Sequence, residues 1–415
     1  MDGPLGTIAG LYEAGIDYLI SKTGAKPKRI GSSATLAMAG EQCRDLYGVP
    51  LESVRIFPAP VLNWDDNHYS YVDTEVPGRK YVGLYANGSP SNKTTQYKLF
   101  AALMRSGGAL AATGNPVAEG YSTLVNYFNS RRDQGQALSL MGDDVPRELR
   151  LLAERNGDEQ RTYIDISDRG LVQLHGNVKS DEVQRSFARL VRNVGDRNHV
   201  RTVLATNMIS VGLDVPRLGL MAMVHQPKSM SEYIQASSRV GRGRTPGLVV
   251  VMLSALRSRD KSHLEDFSFT HRRMYSLVEP SSLTPFSASA LERALPGVVV
   301  SMMRNTPDYN MEDSPVPIPD ALKEEVHEFL LNRLRIIDPD EEVQFSKAFL
   351  EICRAWNTRG YHSYGQEVHI ALAQRPLMVP FITSVKTDVR PFQVLQAMRN
   401  VDSGLKLAQI VTNHA

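Results

Sequence analysis

The feature that most constrains this chain is an alternation of two hydrophobic periods between residues 81 and 253. Short apolar runs at 81–86, 122–128, 171–174, 202–205, 218–224 and 248–253 are nearly continuous, so each predicts a strand buried on both faces. Amphipathic stretches lie between them. The one over 181–193 sets Val183, Phe187, Leu190 and Val191 on a single stripe, the pattern of a helix with one buried side. Strands that alternate with helices are joined by crossovers and pack as a parallel sheet covered on both faces. The predicted fold class is α/β, with one parallel-sheet domain over residues 81–265.

The flanks read differently. Residues 1–60 hold a helix carrying Leu5, Ile8, Leu11 and Ile16, a short strand near Ile30, a second helix over 36–46 and a strand at 54–57. That is too little for a core of its own, and it reads as the tail of another α/β domain. Prolines and glycines between Pro58 and Arg79 mark a linker over 61–80. Residues 266–415 turn helical, notably over 321–335 and 341–356, after a Pro-rich break at 315–319, and predict a mainly helical accessory region.

Composition narrows the function classes. A net charge of +2 gives no overall field, so any nucleic-acid surface must be local. The two cysteines, Cys43 and Cys353, allow neither a zinc-ligand spacing nor a disulfide framework, which fits a reducing cytoplasm. The ten histidines show no ligand spacing, so no metal site is predicted. The first twenty residues lack a signal peptide's pattern. No apolar run approaches the roughly 18–20 residues that span a bilayer. A soluble, cytoplasmic chain with no membrane partner is expected.

Chemistry concentrates between residues 201 and 244. A predicted strand ends at Ala205; Thr206, Gly212 and Asp214 follow in a turn at the sheet edge, where ligands of parallel sheets bind. Thr206 can offer a hydroxyl and an N–H to a phosphate, Gly212 allows close backbone approach, and Asp214 can accept from a sugar hydroxyl. An ordinary turn with a glycine for geometry reads the same way on this segment alone. Ser229 and Glu232 then form a capping box. The helix they open carries Tyr233, Ala236 and Val240 on one face, and Gln235, Arg239 and Arg242 on another at i, i+4 and i+7. Gly241 and Gly243 thin the chain around Arg242. Guanidinium groups held this way match phosphate oxygens in a bidentate fork; a solvated basic face is the alternative.

Taken together, the two segments resemble a known family. Ala205-Thr206-Asn207, four residues, then Gly212-Leu213-Asp214 is similar to motif V of superfamily 2 helicases. Gln235-Ala-Ser-Ser-Arg239-Val-Gly-Arg242 resembles motif VI, departing only at Ser238, where glycine is usual. The resemblance implies a RecA-like domain in which Thr206 touches the nucleic-acid backbone, Gly212, Asp214 and Gln235 face ATP, and Arg239 and Arg242 are arginine fingers. Gly31-Ser-Ser33-Ala-Thr35 resembles motif III, implying that Ser33 and Thr35 couple nucleotide state to nucleic-acid contact. The stretch 124–132 resembles motif IV, with Asn129 and Ser130 towards phosphates. Leu174-His175-Gly176 is similar to the family's short motif after the next strand, although His175 by itself reads first as a structural histidine. The arginines at 185, 189 and 192 read first as a solvated face.

No Gly-x-x-x-x-Gly-Lys-Ser/Thr and no Asp-Glu-x-His occurs in the chain, so no phosphate loop and no Mg²⁺ ligand is present in it. ATP and Mg²⁺ are cofactors only of a complete motor; alone the chain is expected to be inactive. Stretches 1–13, 233–242, 246–250, 259–263, 283–286, 290–293 and 397–401 further resemble the helicases of DISARM anti-phage defence. The expectation is the C-terminal portion of an ATP-dependent translocase on DNA, acting with an N-terminal helicase half and with other phage-defence subunits, among them a methyltransferase. The alternative is a non-catalytic nucleic-acid-binding or scaffolding module derived from a helicase. Nothing in the sequence supports another α/β enzyme, since neither a nucleophile elbow nor a dinucleotide fingerprint is found.

Overall fold

A computed structural model describes residues 3–33, 35, 37–59, 61–62, 66–75, 77–89, 91–158, 166, 170–176, 178, 180–196, 198–207, 214–306, 315–365, 375–380 and 390–395. In chain order the regular elements begin with α1 (Gly3–Ser21), α2 (Ala39–Tyr47), β1 (Arg79–Tyr85), α3 (Asn92–Ala111), β2 (Leu124–Phe128), α4 (Arg131–Gly142) and α5 (Asp144–Asn156). They continue with β3 (Leu171–Leu174), α6 (Ser180–Leu190), β4 (Thr202–Ala205), β5 (Leu220–Val224), α7 (Met230–Ser237), β6 (Gly247–Leu253), α8 (Ser258–Glu265) and α9 (Phe267–Arg272). The last are α10 (Ala288–Arg304), α11 (Asp320–Ile337), α12 (Glu342–Thr358), β7 (Met378–Pro380) and β8 (Phe392–Val394).

Contacts divide the chain into two units, one of residues 33–35 and 62–279, the other of residues 1–32, 36–61 and 280–415. The first holds a six-stranded sheet in the order β1-β6-β5-β2-β4-β3, and every pair in it is parallel. Its central strands β2, β4 and β5 are buried at every position, the property that made them continuous apolar runs. Successive side chains serve different cores. Val125, Tyr127, Val203, Met221 and Met223 pack under α7 residues Tyr233, Ile234 and Ala236. Leu124, Phe128, Leu204, Leu220 and Val224 pack against Phe100 and Met104 of α3, Leu140 and Met141 of α4, and Val145 and Leu149 of α5. Each such fully buried large side chain contributes roughly 1.5–3 kcal/mol, so the two faces together fix the register. The predicted RecA-like parallel α/β fold is the fold observed.

Two local expectations change. The stripe on α6 uses Phe187 and Leu190, but Val191 falls beyond the helix end and is exposed, while Ser186 is buried instead. The sheet unit also keeps α9 and the turn through Leu277, so it ends at Glu279 rather than 265. The reason is packing: Phe267 lies against Gly83 of β1, where an added Cβ would sit 3.1 Å from its ring.

In the second unit, α1 buries Ile8, Leu11, Ala14 and Tyr18 against Leu291, Leu295, Val298 and Met302 of α10 and against α11 and α12. Ile16, expected on that stripe, is exposed, and Tyr18 takes its place. The strands expected near Ile30 and at 54–57 do not form, and Ile30, Ile56 and Phe57 stand 86%, 63% and 76% exposed. A strand is a pairing property as much as a propensity, and these segments meet no ladder partner among the described residues. Among the described residues no helix is long and apolar enough to cross a membrane.

Candidate nucleotide and nucleic-acid site

The sheet order places β2, β4 and β3 side by side, with Tyr127 in register with Ala205, and Leu174 with Ala205. Their carboxyl ends therefore bring Asn129 and Ser130, Thr206, and His175 and Gly176 to one edge. The Thr206 N–H donates to the carbonyl of Leu174 at 3.1 Å, which ties two of these turns together. Thr206 is buried, its hydroxyl 3.3 Å from Asn207 Oδ1. Asn129 donates to the carbonyl of Gln226 at 3.0 Å. Ser130 caps α4 by accepting from the Asp133 N–H at 3.1 Å, and Arg131 and Arg132 follow it, exposed. A capped helix start flanked by arginines favours an anion through its N–H groups and dipole. Burial lowers the pKa of His175, the nearby Arg131 charge adds to this, and Glu182 opposes it; the ring is neutral at pH 7. An added Cβ at Gly176 would meet nothing within 4 Å, so packing does not require glycine there.

The remaining site residues gather elsewhere. The turn sequence had suggested one edge for Thr206, Gly212 and Asp214 together. Because β4 and β5 both run parallel to β2, the end of β4 and the start of β5 lie at opposite edges of the sheet. Asp214 precedes β5, where its carboxylate accepts from Arg242 at 2.9 Å. Gly212 lies outside the described residues. Gly241 N–H donates to Leu218 O at 2.8 Å and Arg79 Nε to Val240 O at 2.7 Å, fixing the arginine turn at the amino ends of the strands. Gly241 has φ +70° and its Cβ would lie 2.7 Å from Gly247 Cα; at Gly243 a Cβ would lie 2.6 Å from Pro216 O. Both glycines answer to backbone packing, which in turn holds Arg242 in place.

Side-chain exposure of 37% and 72% makes the Arg242–Asp214 pair a surface contact, worth at most about 1 kcal/mol and readily exchanged for another anion. Half-buried Arg239 has its pKa lowered by burial and then by Arg242, with Asp214 opposing; it remains a cation. Gln235 Nε2 donates to Thr35 Oγ1 at 2.8 Å and to Ser231 Oγ at 3.2 Å, and the Ser231 hydroxyl reaches Thr35 Oγ1 at 3.1 Å. Thr35 is buried, and its N–H donates to Ser33 Oγ at 3.2 Å. Two neighbouring guanidinium groups with an amide donor form a set suited to a polyphosphate's oxygens. Among the described residues, no group of three or more His, Cys, Asp or Glu side chains suits a metal.

What orients these groups was partly invisible in the sequence. Ser229 caps α7 as expected, accepting from Glu232 N–H at 3.1 Å. Glu232 does not return to Ser229; its carboxylate accepts from the buried Tyr127 hydroxyl, and Glu279 accepts from Met230 N–H at 2.8 Å. Asp260, 1% exposed, accepts from His225 Nδ1 at 2.7 Å, Gln226 N–H at 3.0 Å and Ser254 N–H at 2.9 Å. It thereby clamps the turns after β5 and β6, including the Gln226 carbonyl that Asn129 engages. Burial alone would raise its pKa, but the donors outweigh burial and the carboxylate titrates below its ordinary 3.8. No local spacing signals a carboxylate whose partners lie as many as 35 positions away.

Behind α7, Tyr233 donates to or accepts from His271 Nε2 at 2.8 Å, and His263 packs edge-on to Tyr233. Burial, with a smaller push from His271, lowers His263 to about 4. The sign follows from linkage. Its folded pKa lies below the ordinary 6.5, so its contribution is intact above 6.5 and is lost as pH falls towards 4. We expect the chain to lose about 2–3 kcal/mol across that window from this group. Denaturant melts at pH 7 and pH 5 should show His263→Phe shedding roughly one proton's worth of the slope; an unchanged slope would exclude His263 as its source.

Comparison with known proteins adds an independent line. The family described as the helicase conserved C-terminal domain matches residues 157–244, a segment containing both Thr206 and the Gln235–Arg242 turn. The DISARM protein DrmA of Bacillus paralicheniformis is 36% identical over 310 residues, 73% of this chain and 27% of that protein. Residues 157–244 carry a helicase conserved C-terminal domain, and the chain is similar to a DISARM protein over 310 residues. It spans about a quarter of the length of DrmA. The pre-mRNA-splicing ATP-dependent RNA helicase PRP28 of Saccharomyces cerevisiae is 35% identical over 82 residues, 20% of this chain and 13% of PRP28. The solved helicase MrfA aligns with 79% of this chain and 38% of its own at 16% identity, with a TM-score of 0.48.

Proposed function

We propose that this helicase C-terminal domain is the second RecA-like lobe of an ATP-driven motor on nucleic acid, DNA by the DISARM resemblance. The observation that carries this reading is a pair of contacts, Arg242 with Asp214 and Gln235 with Thr35, residues 28 and 200 positions apart: the helicase motifs assign Arg242, Asp214 and Gln235 to the nucleotide and Thr35 to its coupling with nucleic-acid contact. Arg239 and Arg242 would present charge to the γ-phosphoryl group, and Gln235 and Asp214 would orient around the nucleotide. Asn129, Ser130, His175, Gly176 and Thr206 would bind the strand backbone at the carboxyl edge. Residues 1–60 read as belonging to a first RecA-like lobe, which would hold ATP with its Mg²⁺; ATP supplies the phosphoryl group whose loss drives the cycle. Residues of the present chain contribute no metal ligand to that proposal.

An arginine finger neutralises charge that grows in the transition state and costs no reorganisation when it is preset. The present pairing with an exposed carboxylate keeps Arg242 ordered and available. A role in phage defence, beside other subunits, follows from the DrmA relation as part of the same proposal.

Combining this chain with a lobe carrying the phosphate loop and the Asp-Glu-x-His box, on one polypeptide or two, tests it. ATP hydrolysis stimulated by single-stranded DNA should appear in the combination and not in either part. A combination that hydrolyses no ATP, with both parts folded, would contradict the motor.

A further inference from the structure

The stretch after β6 presents a surface that neither the helicase motifs nor the resemblance assigns. Thr270 and Met274 are buried, and the His271 ring packs against those of Tyr81, Tyr233 and Phe267. Away from that packing, α9 carries Phe269 and Arg272 at i and i+3, neighbours on one face, and Arg273 is the residue that ends the helix. Tyr275 follows in the next turn. Phe269 is 52% exposed and Tyr275 60%. The Arg273 guanidinium lies 5.1 Å from the Phe269 ring centroid. Arg272 and Arg273 are exposed, and neither takes an ion pair among the described residues, in contrast to Arg257, which faces Asp133 at 3.8 Å. The nearest acidic residues in sequence are Asp266, which precedes the helix, and Glu279, whose carboxylate accepts from Met230 N–H at 2.8 Å.

Single exposed rings are ordinary on protein surfaces. Two half-exposed rings interleaved with two unneutralised guanidinium groups are a different object, because flat apolar faces and positive charge alternate. Stacked bases along a phosphate backbone complement that alternation, whereas a duplex keeps its base faces covered. Positive charge also disfavours a basic or purely apolar protein partner. We propose that this face of α9 and the following turn bind single-stranded nucleic acid, with bases stacked on Phe269 and Tyr275 and phosphates taken by Arg272 and Arg273. This rests on the reading of the chain as a nucleic-acid motor lobe, and it adds a contact away from the strand-edge turns.

The test uses the full chain and a labelled oligothymidylate of about sixteen nucleotides at about 100 mM salt, followed by fluorescence anisotropy. Phe269→Ala with Tyr275→Ala should weaken binding about tenfold or more, while the paired tryptophan substitutions retain it. An abasic strand of equal length should bind the unaltered chain as weakly as oligothymidylate binds the double alanine variant. Both residues are exposed, so thermal melts should not move. Equal affinity of variant and unaltered chain overturns the proposal, as does equal binding of abasic and base-bearing strands. Light scattering that changes with the alanine pair would assign the face to protein association and overturn it too. Crosslinks from 4-thiothymidine separate the two levels of inference. Crosslinks within 267–277 support this surface. Crosslinks at 129–132 and 175–176 alone overturn it and leave the motor reading standing, and no crosslink anywhere overturns both.

Discussion

Replacing Arg242 by alanine is expected to lower ATP turnover of the two-lobe combination by about 10³-fold or more, with little change in nucleotide affinity. The reasoning is differential: the guanidinium group is needed most where negative charge on the γ-phosphoryl oxygens peaks, so kcat should fall while KM holds. Arg242→Lys should recover only part of the rate, because a point charge cannot reproduce the planar fork. Losing Arg242 also frees Asp214, an exposed carboxylate, so little stability should change. Steady-state kinetics with a denaturation control separates the two effects. A raised KM at unchanged kcat would make Arg242 a binding group only.

Gly241→Ala should damage folding. At φ +70° a side chain costs roughly 1–2 kcal/mol, and the new methyl would stand 2.7 Å from Gly247 Cα and N, both backbone atoms at the start of β6. Together these predict about 3 kcal/mol of destabilisation, a drop of roughly 6–12 °C in Tm for a unit of this size. Gly176→Ala is the matched control: no positive φ and no atom within 4 Å, so stability should change by less than about 0.5 kcal/mol. A Gly176→Ala variant that folds normally but binds DNA poorly would locate that glycine's importance in ligand approach. Equal stability of the two variants would contradict the packing account of the arginine turn.

The fold was legible where burial is two-sided. β2, β4 and β5 announce themselves as nearly continuous apolar runs, with Asn126 and Thr202 the buried polar exceptions, because α3 to α5 cover one face and α7 the other. The expected strands at Ile30 and 54–57 carry the same propensity but no partner, and a single-chain pattern cannot report whether a neighbouring strand exists. The Ser229 cap was equally readable, but the helical stripe expected through Gln235, Arg239 and Arg242 is cut short: α7 ends at Ser237, and both arginines lie in the turn that follows, where Gly241 takes φ +70°. Long-range contacts were not. Nothing near Asp214 predicts Arg242, nothing near Thr35 predicts Gln235, and Asp260 gathers its donors from two other turns. The placement of Asp214 away from the Thr206 edge is topological, and follows only once β4 and β5 are known to be parallel.

The central claim is that Arg239 and Arg242 meet a γ-phosphoryl group delivered by another lobe. ADP with aluminium fluoride mimics that group in its transition state, so retention of this chain on an immobilised ATP-binding lobe measures the contact directly. The account predicts retention that depends on the fluoride complex and is lost on Arg242→Ala, while ADP alone retains neither form. Retention of the alanine variant equal to that of the unaltered chain would contradict it.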